Sequence, residues 1–346
     1  MPVAIAVTLR PAAHIAYGRT MSDWAHSTAD RTTREGVAHE IRGWLRAASD
    51  SAIYTRLATE AMDDEPMLDL IARIENVPPM NLLFGAVQLL RGGPLPDLPY
   101  AQFREFALDN AERIVEIGST RRTQTNEVRR CAVILPFVAQ AVAELGGGPV
   151  HAIDIGASAG INLCLDRFAY DYGDARLGEG PLTLTCENRG GFALPDAVPT
   201  FASRTGLDLA PVDIDDSDAV AWLEALVWPE HSERLERLRS AIAIRRQTPV
   251  TMVAGDALET LPHVVRDLPS GPVLLFHTIA LYQLPESLRL ELDDIVAALA
   301  AERPLARVSF EPRPGSAFPL IHMGARPYDA PALASGHHHG AWIDRP

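Results

Sequence analysis

Lysine is absent from this 346-residue chain; all 31 of its basic residues are arginine. That absence removes whole classes of chemistry. Without a lysine no Schiff base forms, which excludes pyridoxal-phosphate chemistry and lysine-type aldolases. Nor is there a lysine to reach nucleotide phosphates from a Walker-A loop, which excludes P-loop enzymes and ordinary kinases. Cysteine is scarce: Cys131, Cys164 and Cys186 are far apart and odd in number, so neither a disulfide framework nor a zinc pattern is read, and all three read as small core residues. Net positive charge is lacking too. A formal charge of −14 argues against a surface built to grip phosphate backbones, so no nucleic-acid partner is expected. The longest apolar run, CAVILPFVAQAVAEL, is too short to cross a bilayer and contains Gln140 and Glu144, so no membrane partner is expected. The start, MPVAIAVTLRP, shows neither a basic leader nor a small-residue cleavage site, which gives a cytoplasmic expectation.

What is present divides at about residue 122. Residues 1–122 carry apolar residues at three- and four-residue intervals in REGVAHEIRGWLRAAS, SAIYTRLATEAM, PMLDLIARIEN, PMNLLFGAVQLLRG and YAQFREFALDNAERIVEIG, with Pro-, Gly- and Asp-rich turns between them. The spacing predicts a helical N-terminal cap domain. Over 123–346 a long helix, TQTNEVRRCAVILPFVAQAVAEL, leads into alternating strands and helices. The strands are PVHAIDI, PTFASRTGLDL, PVTMVAG, PVLLFHT and LARVSFEP; the helix after the first is INLCLDRFAY. Short apolar strands separated by helices predict an α/β fold with a doubly wound, mainly parallel, Rossmann-like sheet covered on both faces. FPLIHMGARP and GHHHGAWI read as two further strands forming an antiparallel C-terminal edge, and residues near 171–198 read as an insertion that folds over the site.

The stretch VHAIDIGASAGINLCLDRF admits two chemistries. Its Gly156-Ala157-Ser158-Ala159-Gly160 loop fits the Gly-x-Ser-x-Gly elbow that presents Ser158 as a hydrolase nucleophile, with Asp256 and a histidine of 337–339 filling the triad. Against it, an elbow follows several strands and an oxyanion loop, whereas everything before this strand reads as helical. The second chemistry is a nucleotide-type cofactor loop. Asp154 ends the first strand, where its carboxylate could brace the turn amides; Asp208 ends the second, for ribose hydroxyls. Asp256 ends the third, for an adenine amino group, and His277 tips the fourth. In open α/β sheets ligands bind at these carboxyl ends. A nicotinamide site fits less well, since the glycines are spaced G-x-x-x-G and Ser158 stands where a close-approach glycine belongs.

DIGASAG, TGLDLAP, GDALETLP and LLFHTIALYQLP resemble, in order, the glycine, ribose, adenine-side and fourth-strand motifs of class I S-adenosylmethionine-dependent methyltransferases, over residues 124–346. The resemblance implies a methyltransferase-type sheet, S-adenosylmethionine as cofactor, and a small-molecule acceptor. It implies cofactor-binding residues Asp154, Gly156, Ser158, Gly160, Asp208, Asp256 and Ala257, with the methionyl end received by the turn and the N-terminus of the helix after it. His277, Tyr282 and Glu311 are the catalytic candidates, His277 as a general base. The chain departs from that pattern in two places. The interval from Gly160 to Asp208 is long, so Glu187 in LTLTCE is the alternative ribose ligand, and no NPPY-like motif follows the fourth strand. QTNEVRRCA, IGASAGINLCLDRF, RTGLDLAPVD, LVWPE and HGAW also resemble a bacterial family known only as domain of unknown function 2332, which implies no reaction. A non-catalytic ligand-binding protein stays open as a further alternative.

The remaining features have plainer readings. On a strand, His337-His338-His339 would alternate faces, so at most two could meet one ion, and no metal is expected. Asp213–Glu224 has an EF-hand-like acid spacing but Asp218 in place of the required glycine, and reads as a helix cap. Thr125 or Asn126 reads as the cap of the helix that follows, with pocket closure as the competing role for the polar run Gln124–Glu127. Arg130 is placed to pair with a cofactor carboxylate or with Glu127.

Overall fold

The computed structural model describes residues 31–346 except 47 and 49; the reading of the first residues therefore lies outside the described part. Helices α1 (Arg34–Leu45), α2 (Ala52–Ala61), α3 (Glu65–Ala72), α4 (Pro79–Arg91), α5 (Tyr100–Asp109) and α6 (Ala111–Thr120) come first. The side chains of Thr33, Ser51 and Asp64 cap the first three by accepting from backbone amides of the first turn. Their apolar faces share one core, in which Tyr54 and Phe84 stack at 3.9 Å. Where one helix was read over 100–118, two form. Asn110 leaves helical geometry at φ −108° and ψ 18°, and its side-chain amide donates to Phe106 O.

α7 (Arg130–Glu144) starts later than its sequence pattern, since residues 121–127 form neither helix nor strand. The strands are β1 (Val150–Ile155), β2 (Ala169–Asp171), β3 (Arg176–Leu177), β4 (Thr183–Thr185), β5 (Glu187–Asn188), β6 (Phe201–Asp208), β7 (Thr251–Ala254), β8 (Val273–Thr278), β9 (Leu305–Glu311), β10 (Leu320–Met323), β11 (Ala334–Gly336) and β12 (Trp342–Asp344). Interleaved are α8 (Ser217–Ala225), α9 (Ser232–Gln247), α10 (Ala257–Asp267) and α11 (Glu286–Glu302). The main sheet runs β5-β12-β11-β10-β9-β8-β1-β6-β7. From β9 to β7 neighbouring strands are parallel, and the β9-β10-β11-β12 pairs are antiparallel. This is an α/β architecture with a helical N-terminal region, Rossmann-like in general terms.

Strand alternation assigns each face its cover. Val150, Ala152, Leu274, Phe276, Val308 and Phe310 pack toward α7 and α9, whereas Ile153, Ile155, Leu207, Val273 and Leu275 pack toward α10 and α11. The chain leaves β1 toward β6 and β7 on one side and returns to β8 and β9 on the other. By the general rule for open α/β sheets, that reversal is where a ligand crevice belongs, at the carboxyl end of β1.

Three expectations fail locally. The segment after the glycine turn is a six-residue 3-10 helix, Asn162–Arg167, with Cys164 out of helical geometry, and Ala169–Asp171 joins a small β3-β2-β4 sheet. No α-helix therefore begins directly after the turn. The 171–198 insertion packs on α7, Phe192 lying edge-on to Phe137 at 5.5 Å, and reaches the far sheet edge through β5; among the described residues it makes no hydrogen bond to the turn. The C-terminal pair of strands is a run of three, and His337–His339 occupy the turn between β11 and β12.

Candidate functional site

The turn at the end of β1 is set by backbone geometry. Gly156, Ser158 and Gly160 all have positive φ, at 74°, 51° and 70°. Glycine adopts this region freely; serine is strained there. The strain at Ser158 is held by partners: its N–H donates to Asp208 Oδ2 at 2.7 Å, and its Oγ accepts from Asn126 Nδ2 at 3.0 Å. Asp208 Oδ1 also accepts from Ala210 N. Asp208, not Asp154, thus braces the turn, because the first two turn amides are already taken by Leu207 O. Asn126 serves the turn and not the cap of α7, which has no side-chain cap.

Asp154 is left over, 2% exposed and facing α7. Among the described residues nothing donates a hydrogen bond to its carboxylate. Burial and then the nearby charges of Asp208 and Glu311 push its pKa well above the usual carboxylate range, with Arg130 pulling the other way. Arg130 is also buried, donating from Nε to His338 O (2.9 Å) and from Nη1 to Thr278 O (3.1 Å); burial brings its pKa down to about 10. The guanidinium therefore lies near enough to Asp154 for its charge to act on the acid, at the end of β8 beside β1. Asn162 adds a bond to Thr278 Oγ1.

Two catalytic candidates belong elsewhere. His277 follows Phe276, so its side chain turns to the opposite sheet face from Asp154. It is fully buried, with Nδ1 on Glu311 Oε1 at 2.7 Å and Nε2 accepting from Arg307 Nε at 3.0 Å. Both ring nitrogens are occupied, and burial with the Arg307 charge lowers its pKa, so it is a neutral internal link with no face for a substrate. Glu311 accepts from His277 and from the amides of Ala280, Leu281 and Tyr282. Burial pushes its pKa up, but these donors outweigh it and the net shift is downward. It anchors the segment after β8. Arg307, bound to Asp293 at 2.5 Å, completes this buried chain; neither residue drew notice in the sequence, where the sole signal was a charge inside an apolar strand. The anchored segment, with Ile279 at φ 52°, lies so close to the turn that a Cβ on Gly156 would meet Ala280 Cβ at 2.5 Å. Tyr282, at its end, is half-buried.

Asp256 follows β7 at the same sheet edge and caps α10, accepting from Leu258 N, with Ala257 as the first helical residue. Glu187 lies in β5 at the opposite end of the sheet, ion-paired with Arg189, which removes it as a ribose ligand. Ser158 Oγ bonds to an amide, and among the described residues no imidazole bonds to it; the proposed triad does not assemble. Asp216 caps α8 in the acidic 213–224 segment, as the cap reading expected. No helix of the described residues is long and apolar enough to cross a membrane.

No curated protein matches the chain. A family model does, over residues 40–345, and by that match the chain belongs to the family described as uncharacterized protein conserved in bacteria (DUF2332).

Proposed function

We propose that the crevice beside β1 binds S-adenosylmethionine and that the protein is a methyltransferase acting on a small-molecule acceptor. The observation that carries the reading is Asp154: a buried carboxylate with no hydrogen-bond donor among the described residues, next to Arg130, where the sheet reverses. A fold does not keep an unpaired buried acid for stability, since burying it costs free energy. An α-amino-acid end matches the pair, with Asp154 for its ammonium and Arg130 for its carboxylate. Asp208 and Asp256 each keep lone pairs beyond those their own amides use, enough for ribose hydroxyls and an adenine amino group.

The acids fit the cofactor; the covered face of Gly156 fits only after the 279–282 segment shifts off the turn. The bound cofactor supplies an electrophilic methyl group, so the chain's own task is mainly alignment and exclusion of water. Asp154 and Arg130 orient one end, Asn126 and Asp208 fix the turn, and Glu311 sets the 280–282 backbone. Tyr282, on that backbone, is the proposed contact with the acceptor. His277 takes no proton in this scheme.

Calorimetry with S-adenosylmethionine and S-adenosylhomocysteine tests the reading. One equivalent of each is expected to bind in the micromolar range, more weakly by about 1.5–3 kcal/mol in Asp154→Asn. Absence of binding below millimolar concentrations, or equal affinity in the variant, overturns it. Tight binding without turnover on a broad acceptor panel would assign the domain a sensing role.

A further inference from the structure

The turn between β11 and β12 brings imidazoles together in a way a strand would not. His337 N donates to Trp342 O, Gly340 N to His337 O, and His339 N to His337 Nδ1 at 3.1 Å. The ring centroids of His338 and His339 stand 4.3 Å apart. A carboxylate joins them from far away in sequence: Asp50, between α1 and α2, places Oδ2 4.0 Å from His338 Nε2. One ligand atom from each of Asp50, His338 and His339 lies within 4.8 Å of the others. Donors around a zinc ion bonded at about 2.0–2.2 Å stand about 3–4 Å apart. Contraction by roughly 1 Å of two half-exposed side chains, His338 and Asp50, would close the set.

Two further observations point to a ligand here. Nδ1 of His339 is buried without a hydrogen bond and stands 3.9 Å from Glu127 Oε2, the carboxylate–imidazole pairing that orients metal-bound histidines. A cavity of about 90 Å³ adjoins the ring, lined by His339, Thr123, Thr125, Asn81, Arg234 and Trp228 among others, and Thr123 Oγ1 is also buried without a partner. Arg130 and Arg234 oppose a cation here; Asp50 and Glu127 offset them.

We infer that Asp50, His338 and His339 form a site for a divalent transition metal of the zinc type, with an open position toward the adjoining cavity. Two imidazoles and one carboxylate are a donor set this class of ion takes, and a water or small anion in the cavity completes the coordination. Filling the site ties the helical N-terminal region to the C-terminal hairpin.

The test uses the full chain freed of metal, titrated with Zn²⁺ by calorimetry and with Co²⁺ by visible absorption. One equivalent is expected to bind in the micromolar range or tighter, with the d–d bands of low-coordinate Co²⁺. Asp50→Asn and His339→Ala should each weaken binding at least about tenfold, while His263→Ala, at an exposed position of α10, keeps it. Far-UV circular dichroism of each variant confirms that it folds. No stoichiometric binding, or unchanged binding in Asp50→Asn (a surface histidine pair acting alone), overturns the inference.

Discussion

Asp154 and His277 are both buried ionisable groups at strand ends, yet their surroundings assign them opposite tasks. His277 is saturated by Glu311 and Arg307. Asp154 has nothing comparable, and an unsatisfied buried polar group costs about 1–3 kcal/mol, more when charged. Asp154→Asn is therefore expected to be more stable than wild type near neutral pH by about that amount in urea denaturation. The folded state holds the Asp154 proton more tightly than the unfolded chain does. Its contribution is full below the ordinary carboxylate range and is lost as pH rises through the raised folded value, so the gap between variant and wild type should close on acidification. A variant less stable than wild type near neutral pH would show that the carboxylate supports the fold.

At the scale of elements, two segments press together, the turn 156–160 and the segment 279–282. Gly156→Ala adds a strained φ and a contact with Ala280, together costing roughly 2–4 kcal/mol. Adding Ala280→Gly should restore the contact part and leave the backbone part, as urea midpoints of the two variants would reveal. Full recovery, or none, would mean that only one of the two effects operates. The strands and the helical start were legible because apolar runs and three-to-four spacing are local patterns. Which face His277 takes was not, because LLFHT is buried on both sides and carries no alternation. The helix read over INLCLDRFAY failed through contacts invisible locally: Asn162 is drawn to Thr278, and Ala169–Asp171 pairs with strands of the insertion. The acids at strand ends were legible as a group, but their division of labour was not. Which carboxylate meets the turn amides depends on β6 lying beside β1, and Asp50 meets the histidine turn only through the folded chain.

For the molecule as a whole, the buried histidines oppose acidification. Burial, chiefly, lowers the pKa of His277, His322, His337, His338 and His339 from 6.5. The unfolded chain therefore takes up protons that the folded one refuses, so stability is full above about 6.5 and declines as pH falls from there toward the depressed folded values. Urea midpoints should drop between about pH 7.5 and about pH 5, and drop less in a His338→Ala, His339→Ala double variant. A flat profile would mean that these rings open to solvent.

The same folded contacts hold the helical region to the crevice. Gln88 donates to Ala225 O and Val227 O, Trp222 of α8 enters the helical core, and the 121–127 segment carries Asn126 to the turn. Cofactor binding should therefore register along that route and at the sheet's carboxyl edge. Hydrogen–deuterium exchange with and without S-adenosylmethionine reads this directly: amides of 156–160, 208–210 and 279–282 are expected to slow when the cofactor is present. Unchanged exchange there, or protection confined to other parts of the chain, would contradict a cofactor crevice built around Asp154.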